Sequence, residues 1–485
     1  MNFSDPARTA YALRREAARA ILLPPAMLPI ALALTLIGGT GPNLLLALLS
    51  VVVLVVGCML LWRPGESPIL LFAFAFPWLQ GSIAIFHANW LGIDIGDYAP
   101  FPGDMHAAVA MSLAGLLALA VGMRLGAGPR RAEDLSALYR MALSHSVQRW
   151  FELYAVAWVM SFLALSFAWV MPGLSQPMLA LAALRWAFFF MLAVAYFVHG
   201  RDRGRLFALV FFFELATAIG GYFSDFKTVF FITLFAAMAS GVRIASRTFL
   251  GSGALAVLAV GLGVVWTAVK GEFRTFASGG QAEQIVTVDY MTRLAKLYEL
   301  VASLDLEALV NSADQFLRRL SYVEFFSVVL VNVPASLPHT LGAILWDAVI
   351  RPFMPRLLFV NKDEIDDTAR TNFYTGGLAG SSEGTSISLG YIAEAYIDFG
   401  AFGMFAALAA IGLFYGAIYR ILLRSRASRG LLGMAMATAV LTSVSPMENS
   451  FTKVFGGVIV SLLIAWAMIV FIVPRWAPWL VADRR

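Results

Sequence analysis

Charge is scarce in this sequence and cysteine nearly absent. Asp, Glu, Lys and Arg make up 13% of its 485 residues, where a soluble protein carries about 25%. That excludes an ordinary soluble enzyme. The lone cysteine, Cys58, excludes a disulfide framework and any cysteine-based metal centre. Histidine offers no metal set either, because His87, His106, His145, His199 and His339 are scattered without ligand spacing. There is no internal repeat and no low-complexity segment.

What the chain has instead is apolar length. It is 60% hydrophobic, with a mean hydropathy of +0.78. Twelve apolar runs stand at 20–38, 44–62, 68–86, 106–123, 151–171, 178–198, 206–223, 227–241, 252–269, 388–421, 431–446 and 453–473. A crossing of the ~30 Å hydrocarbon layer takes about 18 or more such residues, and 227–241 and 431–446 fall short of that. The pattern predicts an all-α polytopic membrane protein with about 12 transmembrane helices. The first run, longer than a signal-peptide core and without a small-residue cleavage site, reads as a retained span.

Arginine sets the expected orientation. If the N-terminus is cytoplasmic and the runs alternate, the inner segments hold 22 arginines, from Arg8 to Arg485. The short outer loops hold only Lys227 and Lys453. By the positive-inside rule both termini are cytoplasmic. The chain then divides into an N-terminal membrane bundle (1–269, spans 1–9), a large periplasmic loop with interfacial helices (270–387) and a C-terminal bundle (388–485, spans 10–12).

The outer segment is no simple tether. From Lys270 to Asp398 there are ten Lys or Arg and sixteen Asp or Glu, a net acidic balance that excludes a general polyanion or nucleic-acid surface. Its apolar stretches at 321–334 and 341–359 are too short to cross and read as helices lying on or dipping into the outer leaflet. Arg185, in "LAALRWAFFF", lies inside the sixth run, where a charge faces a protein interior or a wet cavity. It fits an anion site or a buried ion pair with Asp225.

The stretch "EGTSISLGYIAEAYIDFGAFGMF" (383–405) places Glu394 and Asp398 one helical turn apart at the start of the tenth run. Two such carboxylates repel unless a cation or a proton intervenes. They fit a general base with its acceptor-positioning partner, or a structural clamp between loop and bundle. Gly390, Gly400 and Gly403 allow close packing or a break in the helix. The acidic run "DEIDD" (363–367) offers oxygen ligands to a divalent cation, or reads as a solvated capping loop.

Pro355-Arg356 followed by Lys362, then Thr385-Ser386, then "AEAYIDFGAFG", resembles the Wzy-type oligosaccharide repeat-unit polymerases. In that family the pattern runs Pro-Arg, Lys, Thr-Ser, Glu-x-Tyr-x-Asn-Phe-Gly-x-x-Gly. "RRLSYVEFF", with Arg318, Arg319 and Glu324, and "GEFR", with Arg274, fit the preceding parts. Asp398 stands where the family more often has Asn. The resemblance covers 270–405 in motif detail and implies a GT-C-like glycosyltransferase of the bacterial inner membrane, with its active site periplasmic. Such a polymerase joins undecaprenyl-diphosphate-linked repeat units of an O-antigen, capsule or exopolysaccharide and releases undecaprenyl diphosphate. A flippase and a chain-length regulator are the companions it implies, and no cofactor or metal.

Under that resemblance Glu394, Glu324 and Arg356 are the catalytic candidates, because an acceptor hydroxyl needs a carboxylate to take its proton. Arg185, Arg274, Arg318, Arg319 and Lys362 are candidates for the diphosphate, whose charge cationic donors match. Tyr322, Tyr396 and Asp398 are candidates for positioning the sugar. Two rivals stand beside it. An O-antigen ligase carries an outer-loop histidine, for which His339 is the one candidate. A lipid or sugar transporter would show inverted repeats and paired broken helices.

Overall fold

The structure is a computed structural model. It describes residues 27–63, 65–129, 138, 140–199, 204–219, 226–240, 246–280, 286–354, 358–359, 362, 365–380, 386–425, 427–428, 430–443 and 445–481. Arg356, Asp225, Thr385, Asp363 and Glu364, all singled out above, lie outside these residues. Among the described residues every regular element is a helix.

The first bundle comprises α1 (Met27–Gly38), α2 (Leu44–Leu61), α3 (Ile69–Leu91), α4 (Met105–Ala127) and α5 (Val147–Val170). It continues through α6 (Ser175–Ala183), α7 (Arg185–His199), α8 (Gly204–Ile219), α9 (Phe226–Ala239) and α10 (Ser246–Ala277). Four further helices follow: α11 (Tyr290–Ala302), α12 (Leu306–Leu320), α13 (Glu324–Asn332) and α14 (Ala343–Ile350). Then come α15 (Asp367–Thr375), α16 (Tyr391–Arg424), α17 (Leu431–Thr442) and α18 (Phe451–Trp476).

Helices stand at all twelve apolar runs, and seven stretches are long and apolar enough to cross a membrane, with α6 and α7 counted as one. The helices α1, α9 and α17 are apolar but shorter. In hydrocarbon a backbone without internal hydrogen bonds costs several kcal/mol per group, which is why such runs are helical.

The core of the fold is the pair α4 and α16, which meet backbone to backbone. Gly122 and Gly126 face Gly412 and Gly416. A Cβ would stand 2.0 Å from the Ala409 carbonyl oxygen at Gly122 and 2.2 Å from that of Leu413 at Gly126. The reverse holds too: 2.1 Å from Leu119 O at Gly412 and 2.3 Å from Met123 O at Gly416. Close approach of this kind substitutes van der Waals packing for the hydrophobic drive that lipid cannot supply. Gly122 meets Ala409 and Gly126 meets Leu413, so the contacts advance together and the helices run parallel. Alternate crossing puts the fourth and tenth runs in that same sense.

The two ends of this bundle differ. At one end Arg63 donates to Glu66 Oε2 (3.1 Å), which also accepts the Tyr419 hydroxyl (2.8 Å). There Arg63 and Arg124 donate to the Gly128 carbonyl and Arg424 to that of Pro129, so the arginines close this end. At the opposite end an asparagine pair ties α2 to α3, with Asn43 Nδ2 donating to Asn89 Oδ1 at 2.9 Å. Asp104 N donates to Ser327 O (3.1 Å), seating α13 on the start of α4.

Two segments from that second end reach back into the bundle. Gln80 is the middle residue of α3. Its carbonyl accepts from Tyr322 N (3.1 Å), at the corner between α12 and α13. Its side-chain oxygen accepts from Met447 N (2.7 Å), in the loop after the half-length α17. These two segments bring polar side chains to the depth of Gln80.

The seam predicts a contrast. Gly122→Ala and Gly416→Ala must push α4 and α16 apart and should lower the unfolding midpoint in detergent. Gly456→Ala on α18, where a Cβ meets nothing within 4 Å, should be neutral or raise it, by up to about 1 kcal/mol. Equal effects at all three positions would remove the seam from the argument.

Candidate functional site

Around Gln80 lies a charged cluster drawn from four segments. Glu394, in the first turn of α16 and fully buried, accepts from Arg370 Nη1 of α15 (3.0 Å) and from the Phe451 N–H at the start of α18 (2.5 Å). Both of its oxygens are thereby engaged. Lys453, one turn into α18, pairs with the buried Asp367 (2.8 Å) and donates to Ser386 Oγ (3.0 Å). Gln80 Nε2 donates to Glu448 (3.0 Å). The Tyr322 hydroxyl donates to the Ser388 carbonyl, while burial, reinforced by the Glu448 charge, pushes its phenol pKa up.

One turn after Glu394, Asp398 does different work. The helix α14 begins at Gly342, which has no side chain to cap it. Asp398 supplies the cap from another helix, accepting from Ile344 N (3.1 Å), Leu345 N (2.8 Å) and the Thr340 hydroxyl (2.5 Å). An anion belongs at a helix N-terminus, where free N–H groups and the dipole point. Two residues on, Gly400 takes φ 70°, ψ −173° and breaks α16, a conformation L side chains rarely adopt. The break frees the Ile397 carbonyl, which accepts from Thr340 N and His339 Nδ1, both at 3.1 Å. Glu394 and Asp398 therefore need no shared cation, because each has donors of its own. Asp398 is a clamp between the outer segment and the bundle.

The second cluster sits two turns along the same face of α3, one turn from its end. His87 Nε2 lies 3.2 Å from Asp314 Oδ1, and His87 Nδ1 lies 2.9 Å from the Tyr98 hydroxyl. Asp314 Oδ2 accepts from Arg318 Nε (3.0 Å), and Arg318 Nη1 donates to the Tyr98 carbonyl (3.3 Å). The Arg318 guanidinium covers the Tyr98 ring at 4.9 Å. Burial raises the Glu324 carboxyl pKa above the ordinary 4.5, against the Arg318 charge, which lowers it.

The residues singled out from the sequence thus divide. Arg318, Arg319, Tyr322 and Glu324 share the α12–α13 corner. Arg319 is exposed and Glu324 half-buried, and neither side chain has a hydrogen-bond or ion-pair partner among the described residues. Tyr396 donates its hydroxyl to the Val333 carbonyl (2.9 Å). Lys362 donates to the carbonyls of Arg351 (2.6 Å) and Met354 (2.9 Å). Arg274 closes the last turn of α10. Arg185 faces Glu214 (3.8 Å), which accepts the Tyr154 hydroxyl (2.5 Å). Its ion pair is with Glu214 of α8, while Asp225 lies outside the described residues.

Gln80, His87, Tyr98, Asp314, Arg370, Glu448 and Lys453 carry the clusters without having been singled out for a site, while Asp367, part of the acidic run weighed as a cation site, pairs with Lys453. Spacing alone could have marked two of them, since Gln80 and His87 stand seven residues apart on one face of an apolar helix. Among the described residues no three His, Cys, Asp or Glu side chains are grouped to hold a metal ion.

Arg370→Leu leaves the buried Glu394 carboxylate without its cation and should cost about 3–5 kcal/mol of unfolding free energy. Adding Glu394→Gln should recover most of that loss in denaturant titrations. Identical curves for the single and double variants would mean the two residues are not coupled.

No curated protein and no solved structure matches the chain. One family does, and its match takes in the α12–α13 corner, α15, α16 and α18, leaving Gln80, His87 and Tyr98 on the N-terminal side. Since it spans residues 118–473, the greater part of the sequence, the chain belongs to the family described as "Domain of unknown function (DUF8712)".

Proposed function

We propose that this protein is a membrane glycosyltransferase that joins oligosaccharide units carried on undecaprenyl diphosphate, at the periplasmic face of a bacterial inner membrane. The observation that carries this reading is the α12–α13 corner. Arg319 and Glu324, five residues apart, present a cation and a carboxylate that have no partner among the described residues. One end of the bundle is closed by arginines, which by the positive-inside rule makes it the cytoplasmic one. With twelve crossings both termini lie on that side.

The transfer requires two complementary groups. The bond between the anomeric carbon and the diphosphate oxygen breaks, and negative charge grows on the leaving diphosphate. Arg319, Arg318 and Arg356 stabilise that charge. A sugar hydroxyl of the acceptor forms the new bond to the anomeric carbon and gives its proton to Glu324. Glu394 holds α15, α16 and α18 together and serves the site by positioning. Tyr322 and Tyr396, both bonded to main-chain carbonyls, shape the wall that the sugars meet.

One observation favours a second reading, transport of the amphiphile. Paired charges at Glu394–Arg370, on the helix α16 that breaks at Gly400, resemble the discontinuous helices of transporters. His339, on which the ligase reading rests, is engaged at the helix break.

Lipid-linked glycans from a deletion strain separate these. Single repeat units exposed on the periplasmic face support the polymerase, and units retained on the cytoplasmic face support the transporter. Restoring Arg319→Ala or Arg356→Ala should give protein at wild-type level with chains shortened to one or two units. Long chains from both variants together would defeat the diphosphate role.

Glu324 gives a pH signature. A base must be ionised, so transfer should fall as pH drops through a midpoint above 4.5, the ordinary value that burial raises. The residual transfer of Glu324→Gln should lose that acid limb, and a pH profile unchanged in Glu324→Gln would remove Glu324 from the chemistry.

A further inference from the structure

Arg318 is held by a closed ring of contacts. Asp314 takes its Nε (3.0 Å), the Tyr98 carbonyl takes its Nη1 (3.3 Å), and the Tyr98 ring lies beneath its plane (4.9 Å). His87 closes the ring, with Nε2 at 3.2 Å from Asp314 and Nδ1 at 2.9 Å from the Tyr98 hydroxyl. Three separate segments contribute: α3, the loop before α4, and α12. His87 is 6% exposed and Tyr98 2%, so the supporting half of the ring is buried in protein.

This geometry removes Arg318's freedom selectively. A guanidinium carries five N–H donors in a planar fork. Here Nε and Nη1 are engaged, and Nη2 has no hydrogen-bond partner among the described residues. Asp314 can accept from His87 only if the imidazole carries its proton on Nε2, which leaves Nδ1 to accept the Tyr98 hydroxyl proton in the neutral ring. The Tyr98 hydroxyl thus fixes the imidazole, the imidazole orients Asp314, and Asp314 with the Tyr98 ring orients the guanidinium. The exposed Arg319 is the next residue in the chain, and the Glu324 carboxyl lies within the field of Arg318.

We infer that His87 and Tyr98 are positioning residues for an anion subsite formed by Arg318 Nη2 and Arg319, whose ligand is a phosphate or diphosphate group. The inference rests on the reading of the protein as an enzyme of lipid-diphosphate substrates. It adds to that reading two residues that touch no substrate. His87, which supports the subsite, lies one turn from the end of α3. Asp314 orients Arg318 and offsets part of its charge, so Arg319 supplies the net positive charge of the subsite.

The test uses the full chain in nanodiscs and inorganic pyrophosphate as probe, titrated calorimetrically at constant ionic strength. Arg318→Ala should abolish binding. His87→Leu and Tyr98→Phe should each weaken it about tenfold, the loss expected when one charge-assisted contact is misaligned. His87→Gln, whose amide can donate to Asp314 and accept from Tyr98, should stay within about threefold of wild type. A fold-level role would instead lower the melting temperature of His87→Leu and His87→Gln together without this split. Wild-type affinity in both His87→Leu and Tyr98→Phe would overturn the inference while leaving the Arg318 subsite. Binding unaltered by Arg318→Ala would overturn the subsite as well. Unchanged lipid-linked glycans in the deletion strain would strike the polymerase reading alone.

Discussion

A bilayer offers no hydrogen bonds, so each polar group carried to the depth of Gln80 must find its partner in protein. The rest of the structure follows from that constraint. Breaking α16 at Gly400 exposes a carbonyl at Ile397, and the outer segment answers with Thr340 and His339. Beginning α14 at a glycine leaves N–H groups open, and Asp398 reaches across to take them. Starting α18 inside the bundle opens the Phe451 N–H, and Glu394 accepts it. Each irregularity is matched by a side chain from another segment, and the matched pairs lash the outer segment to the bundle.

That arrangement explains why helices of half length occur. The helix α17 stops after 12 residues, and its following loop turns back at Gln80. The corner after α12 descends to the same residue from the other direction. A full-length α17 would fill this space with apolar side chains. The half-length version leaves room for Glu448 and Lys453 to meet Asp367, Ser386 and Gln80. Lys453 stands near the N-terminus of α18, where the helix dipole disfavours a cation, and Asp367 offsets that placement.

Much of this was legible in the sequence and some was not. Apolar runs announce helices because length and hydropathy are one-dimensional properties, and helices stand at all twelve. The break at Gly400 was open in the glycine pattern around Glu394. The parallel seam was written in two Gly-x-x-x-Gly spacings, at 122–126 and 412–416, but pairing two helices almost 300 residues apart needs three dimensions. For the same reason Arg370 stayed hidden. Its partner Glu394 lies 24 residues on, and nothing in spacing says which of the outer segment's carboxylates a given arginine will meet. Nor could spacing locate the main-chain carbonyls to which Lys362 and Tyr396 donate.

For the proposed transfer the corner is the better candidate than the deep cluster, on grounds of charge. Around Tyr322 the deep cluster assembles Glu394, Asp367 and Glu448 against Arg370 and Lys453. Three carboxylates against two cations make a poor receptacle for a diphosphate, whose added charge would meet repulsion in a medium that screens weakly. Glu394 has no unengaged oxygen to receive a proton. At the corner Arg318 and Arg319 stand against Asp314 and Glu324, and among the described residues Arg319 has no partner and Arg318 keeps one guanidinium edge free. Glu324 is partly solvated and lacks a donor among the described residues. The deep cluster therefore fixes the geometry of α15, α16 and α18, while the corner keeps a cation and a carboxylate that the proposed transfer would use.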